Sequence, residues 1–156
     1  MSSEELRRQL NMEIQLMEQT VAEIEHALPE VDSASLDTLR RAGFGALLMN
    51  LYNGIENILM RIARFEGIPI PTGDRWHIEL FNTFTKIFPS GRKALFDPDL
   101  QARLRGYRDF RHVMVHGYGV ILKWELMRGL VAEAPAAFRE FRGKVGDYMR
   151  TLQDGQ

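Results

Sequence analysis

The sequence contains no cysteine. That one absence excludes disulfides, thiolate zinc sites, iron–sulfur clusters and cysteine nucleophiles, and it suits a reducing compartment. Long hydrophobic runs are missing too. No stretch approaches the ~20 apolar residues that cross a bilayer, so no membrane association is expected. The first ten residues include Glu4, Glu5, Arg7 and Arg8 and lack the apolar run of a signal peptide. The expectation from these absences is a cytoplasmic protein. A large excess of charge is also absent: the formal net charge is −1, and lysines do not cluster. Any contact with nucleic acid must therefore come from a local patch and not from a global field.

What is present describes an ordinary globular chain. Of its 156 residues 45% are hydrophobic and 26% charged, which suits a single domain spanning residues 1–156. A chain of this size buries roughly two-thirds of its unfolded surface and needs no metal or disulfide to fold. Charge is unevenly placed. Residues 1–30 carry Glu4, Glu5, Glu13, Glu18, Glu23, Glu25 and Glu30 against Arg7 and Arg8. Residues 101–118 carry Arg103, Arg105, Arg108 and Arg111 against Asp109 alone.

Hydrophobic spacing predicts five helices. The first runs from about Glu4 to Leu28 on Ile14, Met17, Val21, Ile24 and Leu28, and Pro29 stops it. The second runs from near Ser35 to near Gly67, with Leu36, Leu39, Leu47, Leu51, Ile55, Ile58, Ile62 and Phe65 on its stripe. Gly43, Gly45 and Gly54 lie inside it. Each costs up to ~1 kcal/mol relative to Ala, which points to close approach of another helix. Asp74 is placed to cap a third helix carrying Trp76, Leu80, Phe84 and Ile87. Asp97 as cap and Pro98 as first residue start a fourth, which runs to about His116. The fifth covers Trp124 to Leu152, with Pro135 as a kink or break. No strand alternation, repeat or low-complexity segment appears. The expected fold is all-α, an antiparallel bundle of four to five helices.

The fourth helix carries the chemistry. At roughly 100° per residue, Arg105, Arg108, Asp109, His112 and His116 share one side, and Leu100, Leu104, Tyr107, Phe110, Met114 and Val115 share the other. Arg111 breaks the pattern, projecting among Leu104, Tyr107 and Val115. An arginine there is costly unless its charge is paired or used. It fits a seam against a second chain, the floor of a cleft, or a stem that snorkels its head into water. Glu56, on an apolar segment, is either exposed or paired with an arginine of the fourth helix. His112 and His116 are four apart, as in a zinc-binding helix, but no glutamate lies between them and no third ligand is evident. No metal site and no cofactor are expected.

Arg111, four residues, His116, one residue, Tyr118: this resembles the active-site signature of HEPN ribonucleases, specifically HepT-type toxins, in which a polar residue, here His112, follows the arginine. With 16 Arg, 4 His and 4 Tyr in 156 residues, the triple at this spacing is expected by chance about 0.01 times. The segments Leu51–Leu59, Pro71–His77 and Tyr107–His112 also look like this branch, and the similarity covers about residues 5–150. The resemblance implies a homodimer in which two motif helices form one composite cleft. It also implies a nucleotidyltransferase antitoxin as partner, which adenylylates the motif tyrosine, by position Tyr118. In the implied reaction, His116 acts as base or acid and Arg111 holds the scissile phosphate of RNA. Arg105, Arg108 and His112 contact flanking phosphates. Two other readings stay open. One is a non-catalytic subunit that binds a nucleotide or a nucleotidyltransferase, which the near-neutral charge favours. The other is a structural helical dimer with Arg111 in an interface salt bridge.

Overall fold

A computed structural model of the chain describes residues 1–32, 36–116 and 124–153. Among these residues five α-helices follow one another: α1 (Ser3–Ala27), α2 (Thr38–Phe65), α3 (Trp76–Thr83), α4 (Pro98–Val115) and α5 (Trp124–Arg150). Among the described residues there is no strand.

Local chemistry sets most boundaries. The Ser2 side chain accepts from Glu5 N to start α1, and the Leu28–Glu30 stretch around Pro29 tightens into a 3-10 turn. Asp37 caps α2 by accepting from Arg40 N, and Asp97 caps α4 by accepting from Leu100 N at 2.8 Å, with Pro98 next. Each such cap satisfies a donor that the helix itself leaves free.

Four expectations are corrected. Asp74 does not cap α3: the cap position is Arg75, with no side-chain bond, and the first turn closes on the Gly73 carbonyl. Gly73 adopts φ 106°, a left-handed conformation that glycine tolerates without strain. The third helix also ends at Thr83. Beyond it the backbone bonds shorten to i→i+3 spacing, so Phe84 and Phe88 stay buried while Ile87 is 72% exposed. Leu39 likewise leaves the apolar stripe of α2 and is 80% exposed. Pro135 produces no break, because α5 continues through it.

Cross-helix contacts fix an antiparallel arrangement. Gly54 of α2 lies against Met17 of α1, and Arg61 bonds Gln9 and Glu13 further along. Arg142 and Arg139 of α5 pair with Glu18 and Glu25 of α1, while Leu152 accepts from Arg7. Lys144 and Glu140 of α5 pair with Asp97 and Arg103, and the Tyr107 hydroxyl donates to the Leu130 carbonyl at 2.7 Å. A Cβ on Gly54 would lie 2.5 Å from Met17 Cγ, and one on Gly106 2.9 Å from Leu130 Cδ2. These two glycines let the helices approach closely. Gly43 has open space instead. One hydrophobic cluster runs from Leu6 to Leu152 and joins all five helices.

Candidate functional site

Helix α4 buries Leu100, Leu104, Tyr107 and Phe110 against the bundle. With that face fixed, Arg111 falls where α4 passes α2 and α3. Its side chain is 16% exposed and enters a closed set of polar contacts. Its Nε donates to Asn53 Oδ1 at 3.1 Å and lies 3.0 Å from Glu56 Oε1. Nη1 reaches His77 Nε2 at 2.9 Å, and His77 Nδ1 returns to Glu56 Oε2 at 2.5 Å. The Trp76 ring lies 5.9 Å from the guanidinium carbon and 3.4 Å, centroid to centroid, from the His77 ring. Arg111 is therefore neither snorkelling nor unpaired.

Glu56 is the carboxylate at the centre. Its side chain is 3% exposed, and burial raises its pKa above the ordinary carboxylate range, against the opposing pull of the His77 bond and the Arg111 charge. Glu56 and Asn53 stand three residues apart on α2, so one helix face presents both to α4. One turn before Glu56, the Tyr52 hydroxyl is buried without a hydrogen-bond partner among the described residues. Burial and the Glu56 charge push its phenol far above the usual range.

The remaining candidates are distributed differently. Arg108 is 12% exposed, lies 4.9 Å from the Phe81 ring centroid, and bonds Asp109 Oδ1 through Nε and Nη2. Arg105 is exposed. His112 and His116 are both exposed, with ring centroids 4.2 Å apart in an edge-to-face arrangement. His116 is the C-cap of α4, and its N–H bonds the His112 carbonyl. Among the described residues no hydrogen bond or ring contact joins His116 to Arg111. Five residues of helix turn a side chain by about 140°, which explains the separation. Tyr118 lies outside the described residues.

Among the described residues no group of three His, Asp or Glu side chains could hold a metal, and no helix is long and apolar enough to cross a membrane. The sequence pattern missed Asn53 and His77 as parts of the cluster. Both lie in the segments quoted for the family likeness, but neither breaks a hydrophobic period strongly enough to stand out. A family model described as HepT-like protein matches residues 43–152, which includes all of α3, α4 and α5 and most of α2. No curated protein and no solved structure matches the chain.

Proposed function

The chain belongs to the HepT-like family, and from that premise we propose that it is a toxin that cuts RNA without a metal. The observation that carries this reading is the setting of Arg111. The cluster fixes a permanently charged guanidinium yet leaves it partly open, on a helix that ends in two exposed histidines. A guanidinium offers five N–H donors. The contacts above use the Nε donor and one Nη1 donor, so three stay available for phosphate oxygens.

In the proposed reaction His116 takes the proton of the ribose 2′-hydroxyl, and the 2′-oxygen attacks phosphorus. The bond to the 5′-oxygen breaks and that oxygen is protonated. A 2′,3′-cyclic phosphate and a 5′-hydroxyl result. Arg111 stabilises the charge that develops on the phosphate. Arg105, Arg108 and His112 contact flanking phosphates, with Arg108 contributing through a guanidinium already shared with Asp109. Because His116 and Arg111 diverge on one helix, the complete cleft needs a second copy of the chain. Val113 and Val115 are 43% and 49% exposed beside the histidines, a fitting seam for that copy. Tyr118 is the proposed site at which a nucleotidyltransferase antitoxin attaches an adenylyl group, whose bulk and negative charge would oppose RNA entry.

The test is cleavage of total tRNA in EDTA by wild type beside an Arg111→Ala/His116→Ala variant. Cleavage by the wild type alone supports the reading; equal cleavage by both, or none by either when folded and unmodified, contradicts it. Mixing the two single variants tests the shared cleft, since restored activity requires residues from two chains. A second reading, a non-catalytic subunit of a nucleotidyltransferase, is favoured by one observation: Glu56 already neutralises Arg111. It predicts nucleotide or partner binding without cleavage.

A further inference from the structure

Of the side chains that meet Arg111, His77 has no part in the reaction proposed above. We infer that His77, held by Glu56, is a positioning residue that sets the plane of the Arg111 guanidinium for the scissile phosphate. The inference rests on the ribonuclease reading and deepens it.

The contact geometry fixes the state of the imidazole. Arginine keeps its protons in proteins. Facing Nη1 at 2.9 Å, His77 Nε2 has to accept. The ring hydrogen of the neutral imidazole then sits on Nδ1, where it donates to Glu56 Oε2 at 2.5 Å. The opposite tautomer would set N–H against N–H at Arg111 and two acceptors against each other at Glu56. A doubly protonated ring would retain the first of these clashes.

The consequence falls on Arg111. Asn53 and Glu56 hold the guanidinium at Nε, and His77 holds it at Nη1. Two anchored points on a planar group restrain its orientation as well as its position. Without His77 the group keeps its charge and its place, but Nη1 loses its acceptor and the plane is free to rotate. The Trp76 ring, close to both His77 and the guanidinium, supports the same orientation from a third side. Both ring nitrogens of His77 are engaged, Nδ1 by Glu56 and Nε2 by Arg111, so it acts on the phosphate through Arg111.

Two near-isosteric replacements separate this role from others. In His77→Gln the amide oxygen takes the place of Nε2 and accepts from Arg111. In His77→Asn the amide nitrogen takes the place of Nδ1, keeping Glu56 paired and the fold intact while removing the acceptor. In tRNA cleavage by the full chain, kcat for His77→Gln is expected to stay close to wild type. For His77→Asn it is expected to fall about ten- to hundredfold with little change in KM. Equal loss in both variants, or no loss in either, overturns the inference. A ring-nitrogen NMR spectrum of the wild type reads the same contact without activity. The signal that disappears in His77→Gln is expected to carry its hydrogen on Nδ1, and a hydrogen on Nε2 overturns the inference. If the wild type cuts no RNA, the ribonuclease reading fails separately, and the tautomer still decides the contact.

Discussion

A double-mutant cycle on Glu56 and Arg111 gives the most quantitative test of the polar cluster. The perturbations are Glu56→Leu, Arg111→Met and the pair together. Arg111→Met leaves Glu56, 3% exposed, with His77 as its one remaining partner among the described residues. Glu56→Leu leaves a guanidinium 16% exposed, still bonded to Asn53 and His77. Breaking a buried ion pair on one side costs ~3–5 kcal/mol. The surviving partners and the residual exposure of Arg111 bring each single change down to about 2–3 kcal/mol. The double variant removes both charges and fills the space with apolar atoms, so it should lie within ~1 kcal/mol of wild type. The coupling is then at least ~3 kcal/mol, well above the scatter seen for independent sites. Urea unfolding measures it directly. In thermal melts the singles should lower Tm by about 4–12 °C and the double by less than about 4 °C. Additive losses would refute the reasoning, since they would mean that the two side chains do not share a buried contact.

Three further outcomes follow from named contacts. Burial raises the Glu56 pKa, so the folded chain binds this proton more tightly than the unfolded chain. Its stabilising contribution is full below the ordinary carboxylate range and is lost as pH rises through the folded value. Wild-type stability relative to Glu56→Gln should therefore fall as pH rises above the ordinary carboxylate range; a relative gain on raising the pH would contradict the burial argument. Gly54→Ala should cost about 1–3 kcal/mol by overpacking Met17, measurable as a lower urea midpoint at unchanged slope. Asp97→Ala removes both the α4 cap and the Lys144 pair and should cost ~1 kcal/mol, whereas Asp97→Asn keeps the cap and should cost less.

The fold was legible where structure is decided locally. Asp97 and Pro98 announce the start of α4, and Pro29 the end of α1, because capping and a missing N–H act within a few residues. The bounds of α3 were not legible, since a backbone carbonyl at Gly73 closes its start and i→i+3 bonds close its end. Arg111 was legible as a misfit on an apolar arc, and Glu56 as a candidate partner for an arginine of that helix. The rest of the cluster was not, because Asn53 lies 58 positions from Arg111 and His77 lies 34 away. Helical periodicity carries no information over such separations. The same periodicity placed Arg108 on an open stripe, yet the Phe81 ring from α3 lies against it.

The chemistry of the cut ends tests the central claim most directly. tRNA incubated with the full chain in EDTA should yield fragments ending in 2′,3′-cyclic phosphate and beginning with 5′-hydroxyl, and Arg111→Ala should yield none. Fragments beginning with 5′-phosphate, or intact tRNA after incubation with folded wild-type protein unmodified at Tyr118, would contradict the account.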